Sequence, residues 1–194
     1  FSPEYFIEYL EKPGGILELT GKFLTQFYFN TLLGAIIISV SITIPGIILL
    51  FINEHLDSGS PLSILYIITP SLLLVLMQNH YYHFIEYNLG FISLLLCFLF
   101  SIIPKKSLFR YLTLLLFPLY YYLTGGYIWI YLCMYIIYSL SYNKGNYKFS
   151  HPFFLLILVA STLLASKKLL FLQPTEKLIL NPLSFINNSA HRIC

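Results

Sequence analysis

Two histidines and one glutamate stand at three-residue intervals in a polar, aromatic segment of the chain: His80, His83 and Glu86. On an α-helix this spacing turns by about 60° at each step and about 120° from first to last, so one broad face could present two imidazoles and a carboxylate. Such a face could bind a metal ion or transfer protons at a membrane surface. A metal site would need further ligands, and histidine, tyrosine and asparagine also suit a segment beside lipid headgroups. We favour this second interpretation and expect neither a metal nor a cofactor.

Four glutamates near the N-terminus could serve as general bases or metal ligands: Glu4, Glu8, Glu11 and Glu18. Transferases that act on lipid-linked sugars from outside the membrane use an acidic residue beside a membrane helix in these roles. The spacings of four and three residues between the first three are also typical of the water-facing side of an amphipathic helix. We favour the amphipathic helix and keep the transferase as the alternative.

A row of five tyrosines marks one face of a later apolar stretch, with offsets of 4, 4, 3 and 4: Tyr127, Tyr131, Tyr135, Tyr138 and Tyr142. Because the residues between them carry no charge, the helix is expected in a membrane, where a phenol needs a hydrogen-bond partner. The face therefore packs against other helices or lines a polar cavity. It could stack on a sugar ring or a polyprenyl chain, but helix packing with interfacial anchoring at both ends is the favoured interpretation.

The composition predicts a membrane protein. Only 10% of the 194 residues are charged and 58% are hydrophobic, whereas soluble domains carry about 25% charged residues. The net charge of +3 is scattered along the chain without a basic stripe, so no nucleic-acid partner is expected. We expect the lipid bilayer as a partner, together with either a lipid-linked substrate or envelope proteins. The sequence contains no P-loop, nucleophile elbow or zinc-metalloprotease motif.

The hydropathy pattern predicts an all-α fold, a polytopic membrane protein with about six transmembrane helices. We expect interfacial amphipathic helices outside the cytoplasm in residues 1–30, a transmembrane helical bundle in 31–166 and a truncated extracytoplasmic tail in 167–194. The predicted spans lie near residues 31–52, 62–77, 89–103, 111–123, 127–142 and 152–165. Since position 1 is phenylalanine and the C-terminal end lacks periodicity, we expect the chain to be part of a longer protein.

Two features of the first predicted span concern helix packing. Ala35, Ser39 and Thr43 form a small-residue stripe at spacing four, which lets helix backbones approach closely. Pro45 and Gly46 then predict a kink. No acidic or basic residue lies inside any of the six predicted spans, which disfavours an ion-coupled transporter.

Basic residues predict the orientation of the chain in the membrane. Lys105, Lys106 and Arg110 lie between the third and fourth predicted spans, and two lysines lie between the fifth and sixth. Both loops fall on one side, which the positive-inside rule makes cytoplasmic. The N-terminal segment, residues 80–86 and the tail are then extracytoplasmic. Two lysines at the start of the tail and the acidic loop 53–61 point the other way.

Two glycine-containing motifs and an aromatic run resemble a known family. The residues of the first motif and of the run are Pro13, Gly14, Gly15, Phe23, Leu24, Thr25, Gln26, Phe27 and Tyr28. Together with Thr124-Gly125-Gly126, they resemble an uncharacterised family of bacterial polytopic membrane proteins, defined only as a domain of unknown function. The resemblance implies a location in the bacterial cytoplasmic (inner) membrane and supplies no catalytic residues. Residues 23–28 could contact a substrate or a partner, but a hinge into the first span is the favoured interpretation.

Three hypotheses for the function follow. The favoured one is an integral membrane protein that acts as a non-catalytic envelope or assembly component. The alternative is a membrane-embedded transferase acting on a polyprenyl-linked sugar from the extracytoplasmic side, and a transporter is less favoured. Replacing the candidate glutamates and histidines separates the first two hypotheses, because only the enzyme requires one of them.

Overall fold

A computed structural model describes residues 3–10, 12–56, 63–79, 84–104, 107–142 and 150–165, and these residues form helices and no strand. The all-α prediction is therefore confirmed. Two short 3-10 turns, Phe27–Phe29 and Gly125–Tyr127, occur among the α-helices. The α-helices of the described ranges are α1 (Pro3–Leu10), α2 (Gly15–Gln26), α3 (Thr31–His55), α4 (Ser63–Gln78), α5 (Ile85–Ile102), α6 (Ser107–Leu115), α7 (Phe117–Thr124), α8 (Ile128–Tyr142) and α9 (Ser150–Ala165).

Three helical stretches in the described residues are long and apolar enough to cross a membrane: Thr31–His55, Ile85–Ile102 and Phe117–Ser141. At 1.5 Å per residue, α3 is about 37 Å long and α5 about 27 Å, close to the roughly 30 Å of a hydrocarbon core. Shorter apolar helices occur at Ile67–Gln78 and Phe153–Thr162. The count of six spans stays a prediction.

The third of these stretches bends sharply at Gly125, which has a φ of 60° that favours glycine. Positions 117 and 131 would be about 21 Å apart on one straight helix. The ring centroids of Phe117 and Tyr131 are only 6.4 Å apart. The arms α7 and α8 are therefore not collinear, in agreement with the separate spans predicted at 111–123 and 127–142.

The contacts group the chain into two compact units. Unit 1 comprises Phe1–Glu18 and Tyr111–Cys194, and unit 2 comprises Leu19–Arg110. The unit boundaries fall inside α2 and α6. The predicted division into residues 1–30, 31–166 and 167–194 stays a prediction, and the tail 167–194 lies outside the described residues.

Helices α3 and α5 of unit 2 run parallel. Asn88 donates to Ser41, and the imidazole of His55 lies 3.1 Å from the carbonyl oxygen of Ile102. Both pairs are 47 residues apart, and such a constant offset is the property of a parallel pair. Helices α3 and α5 therefore end on the same side of unit 2.

The buried face of α3 differs from the predicted one. The small-residue stripe of Ala35, Ser39 and Thr43 is exposed in the described structure and makes no close helix contact within it. The buried positions are Gly34, Ser41, Pro45, Ile48 and Ile52. Helix α3 also continues through Pro45 as one element. The packed face therefore combines small residues with Ile48 and Ile52, and it lies beside the stripe on the helix surface.

The core of unit 1 is built around α7, α8 and α9. Leu114, Phe117, Tyr135 and Leu155 are almost completely buried. Tyr111 and Phe154 contact each other edge to face with centroids 5.3 Å apart. The tyrosine row of α8 is thus part of the apolar interior of this unit.

Candidate functional site

The Pro13-Gly14-Gly15 turn joins α1 to α2 and has a backbone that only glycine accommodates. Gly14 has a φ of 75°, in the left-handed region. A Cβ on Gly15 would overlap the carbonyl oxygen of Tyr9, which is a backbone atom and cannot rotate away. Pro13 is fully buried. The turn therefore requires glycine at positions 14 and 15 for steric reasons.

Two hydrogen bonds fasten this turn to α7. The N–H of Gly14 donates to the carbonyl oxygen of Tyr122 at 2.9 Å, and the hydroxyl of Tyr122 donates to the carbonyl oxygen of Leu10 at 2.9 Å. We call this arrangement of Leu10, Gly14 and Tyr122 the turn clamp. Tyr122 lies two residues before Thr124-Gly125-Gly126, so two of the sequence motifs meet in unit 1. Tyr122 and Leu10 are 112 residues apart in sequence.

An ion pair lies beside the turn clamp. The ammonium of Lys12 is 2.7 Å from the carboxylate of Glu18, and these side chains are 20% and 19% exposed. The same ammonium stands 4.4 Å from the centre of the Tyr9 ring, in the geometry of a cation–π contact. Glu18 is thus held by a neighbouring cation in the first turns of α2. The Oε2 atom of Glu18 is therefore engaged by the ammonium of Lys12.

The other candidate acids can be placed only in part. Glu4 and Glu8 belong to α1, but their side chains are not among those that the structure describes. Glu11 lies outside the described residues. Glu18 is therefore the member of the group whose surroundings are known.

A second polar cluster, which the sequence reasoning missed, joins three helices of unit 2. The side-chain amide of Asn88 on α5 donates to the hydroxyl of Ser41 on α3 at 3.1 Å and to the Oε1 of Gln78 on α4 at 3.3 Å. The Ser41 hydroxyl donates in turn to the carbonyl oxygen of Ile38 at 2.8 Å. Asn88 is 0% exposed. We call Ser41, Gln78 and Asn88 the amide clamp.

Of the three candidate metal ligands, Glu86 alone lies among the residues that the structure describes. His80 and His83 lie outside these residues. Glu86 lies in the first turn of α5, which begins at Ile85, four residues before the predicted start of that span at 89. Its Cγ occupies the space where a Cβ of Gly21 would be. Among the described residues no group of three His, Cys, Asp or Glu side chains could hold a metal ion.

The tyrosine row faces the interior of unit 1. Tyr131 and Tyr135 stack with centroids 6.1 Å apart, and Tyr135 and Tyr138 follow at 6.2 Å. Tyr127 lies in the 3-10 turn before α8 and is buried, as are Tyr131 and Tyr135. Tyr142 ends α8, and its side chain is not among those described. The buried rings contact one another and leave little surface on which a sugar could stack.

The run from Phe23 to Tyr28 connects α2 to α3. Phe23 and Phe27 contact each other edge to face at 5.3 Å and are exposed, as are Thr25 and Gln26. Tyr28 packs against Gly34. The side chain of Asn30 accepts from the N–H of Leu32 at 3.1 Å and caps α3. These contacts are those of a connector with a defined exit angle, which is what the hinge interpretation requires.

The hydroxyl of Tyr28 is enclosed without a hydrogen-bond partner among the described residues. Burial raises the pKa of the Tyr28 phenol above its ordinary value, because the charged form loses its hydration. The Tyr28 hydroxyl is therefore expected to destabilise the connector, because it loses its hydration without gaining a hydrogen bond among the described residues.

Comparison with family models matches residues 1–192 of the chain to a family described as a family of unknown function, DUF6057. This match confirms the expectation of an uncharacterised family. No curated protein and no solved structure matches the chain.

Proposed function

Since the chain belongs to the DUF6057 family of unknown function, membership brings no activity with it, and we propose a role from the residues themselves. The chain is a multi-pass protein of the bacterial cytoplasmic (inner) membrane that acts as a non-catalytic envelope or assembly component. One observation carries this proposal. The polar groups around the Pro13-Gly14-Gly15 turn bind one another. Lys12 forms an ion pair with Glu18, and the N–H of Gly14 donates to the carbonyl oxygen of Tyr122.

The membrane location is supported by the three long apolar stretches and by their outward faces. Leu50 and Phe51 of α3 and Phe100 of α5 are half exposed, which suits contact with lipid. Such residues in water would form a large apolar surface that soluble monomers avoid. The bilayer is accordingly the proposed partner, and envelope proteins are proposed as further partners.

The orientation is supported by the parallel arrangement of α3 and α5. Lys105 and Lys106 follow α5 in sequence, and short loops rich in lysine stay on the cytoplasmic side. Since α3 ends on the same side as α5, His55 is cytoplasmic in this proposal and Phe29, before α3, is extracytoplasmic. Cysteine substitutions at these two exposed positions, made in a background whose three native cysteines are replaced by alanine and labelled in intact cells with a membrane-impermeant maleimide, test the assignment. Labelling at position 29 alone supports it, and labelling at position 55 alone reverses it.

The non-catalytic role is tested by reversing the charges of the ion pair. Lys12→Glu and Glu18→Lys each place two like charges where the pair now lies, and both single variants are expected to lower the protein level. The double variant restores the attraction and is expected to restore both the protein level and complementation of a deletion strain. Glu54→Lys, at an exposed position, is the matched control and is expected to be neutral.

The transferase hypothesis makes the opposite prediction for the same residue. If Glu18 were the acid or base of a reaction on a polyprenyl-linked sugar, Glu18→Gln would abolish complementation at an unchanged protein level. The double reversal would then fail to restore complementation, because a lysine cannot act as a carboxylate at position 18. That combination of results would overturn the non-catalytic proposal.

A further inference from the structure

Helix α1 exposes an apolar face. Phe6, Ile7 and Leu10 are 41%, 53% and 47% exposed, whereas Tyr9 is 5% exposed and lies under Lys12. At about 100° per residue, the three exposed side chains cover roughly 100° of the helix circumference. In the same register, positions 4 and 8, both glutamates, fall about 160° from position 6. The eight residues of α1 are too few to cross a bilayer.

The turn clamp holds α1 beside the end of an apolar helix. Tyr122, which donates to the carbonyl oxygen of Leu10, lies in the last turn of α7. Leu119, one turn earlier on α7, is 52% exposed and belongs to a stretch that could cross a membrane. Helix α7 ends at the bend at Gly125, three residues after Tyr122, and tyrosines at the ends of apolar membrane helices lie at the level of the lipid headgroups. The clamp therefore places α1 at the depth where acyl chains give way to headgroups.

We propose that Phe6, Ile7 and Leu10 insert into the phospholipid leaflet in which α7 ends, so that α1 is an in-plane membrane anchor. The proposal rests on the membrane location given above. A lipid surface fits better than a protein partner, because the exposed side chains of α1 are aliphatic or aromatic, as is the exposed Leu119 of α7. Since the opposite register positions are acidic, the anchor depends on apolar contact and requires no anionic lipid.

Single tryptophans in a Trp129→Phe background test the anchor. The protein is reconstituted into phosphatidylcholine vesicles whose acyl chains are brominated, and quenching is compared at three positions. Phe6→Trp and Leu119→Trp are expected to be quenched several-fold more than Tyr9→Trp, which keeps an aromatic ring on the covered face. Strong quenching at 119 with quenching at 6 as weak as at 9 overturns the anchor alone. Weak quenching at all three positions overturns the membrane location as well.

A second measurement avoids replacing Trp129. Photoreactive benzoylphenylalanine is placed at position 7 or, as the control, at position 9 of the otherwise unchanged protein in its native membrane. Attachment of a phospholipid at position 7 and not at position 9 is the expected result. Attachment of another protein chain at position 7 overturns the proposal and identifies a protein-binding face.

Discussion

The two clamps fasten helices by different chemical means. In the turn clamp of unit 1, the backbone N–H of Gly14 and the backbone carbonyl of Leu10 make the bonds, and Tyr122 bridges them. In the amide clamp of unit 2, the bonds to Ser41 and Gln78 come from the side chain of Asn88. The first arrangement depends on the shape of the backbone, whereas the second depends on buried polar side chains.

This difference predicts which substitutions each unit tolerates. A turn built on close backbone contacts does not accept an added Cβ, because a backbone atom cannot rotate out of the way. A side-chain clamp accepts added volume at a distance but not the loss of one partner, because the other partner is then buried without a hydrogen bond. Four experiments, described from the largest expected effect to the smallest, test this contrast.

Gly15→Ala should have the largest effect, because the new Cβ would overlap the carbonyl oxygen of Tyr9. We expect a loss of about 1–3 kcal/mol in the free energy of unfolding, as for other overpacked sites. The matched control in unit 2 is Gly34→Ala, whose Cβ would lie 3.4 Å from Tyr28 in ordinary contact. Since alanine favours a helix over glycine, this control should be neutral or stabilising. Thermal unfolding in detergent measures both, and equal destabilisation would contradict the contrast.

Asn88→Ala should lower the free energy of unfolding by about 1–2 kcal/mol, because it removes two bonds between helices and leaves Gln78 without its donor. A double-mutant cycle with Ser41→Ala should give a coupling of about 0.5–1 kcal/mol. Ser93→Ala is the control, because the Ser93 hydroxyl bonds only within its own helix, to Leu89 and Gly90. A coupling near zero would mean that the amide clamp does not hold α3 and α5 together.

Tyr122→Phe should act locally, because it removes the bond to Leu10 and leaves the bond from Gly14 in place. We expect about 0.5–1 kcal/mol, since the lost bond is partly accessible to solvent. Hydrogen exchange followed by mass spectrometry should show faster exchange in α1 and no change in α5. Equal acceleration in both helices would contradict a clamp that is confined to unit 1.

Tyr28→Phe should have the smallest effect, because it removes an enclosed hydroxyl that has no partner among the described residues. The variant should be as stable as the parent at neutral pH or slightly more stable. Since burial raises the pKa of Tyr28 above its ordinary value near 10, the unfolded chain releases this proton first as the pH rises. The parent should therefore lose stability relative to Tyr28→Phe above pH 10, and a constant difference across that range would argue against the enclosed hydroxyl.

The sequence predicts the helices better than their contacts. Hydropathy and periodicity locate α3 and α8, and the glycine pair at 125–126 predicts the turn before α8, because these signals depend on neighbouring residues only. The packed face of α3 runs from Gly34 to Ile52 beside the small-residue stripe, and its position depends on the shape of the other helices.

The two clamps could not be derived from spacing. Asn88 follows the polar segment 80–86 closely in sequence, which obscures its role, although an amide three residues inside an apolar helix is a usable signal of helix contact. The meeting of Gly14 with Tyr122 has no local signal at all, because nothing in either motif specifies its partner. A site that includes His80 and His83 stays a hypothesis. The further ligands that it would need must come from distant parts of the chain, which the local sequence does not specify.

The grouping of contacts also has a consequence for biosynthesis. Unit 2 is one continuous segment that ends at Arg110, whereas unit 1 combines Phe1–Glu18 with residues that follow it. A ribosome that adds about 5–20 residues per second needs about 5–20 s to advance the 112 positions from Leu10 to Tyr122. During that interval the N-terminal segment has left the ribosome without its hydrogen-bond acceptor and donor on α7. A nascent chain stalled before Tyr122 should therefore leave this segment open to an insertase, a chaperone or a protease, and release past Tyr122 should close it.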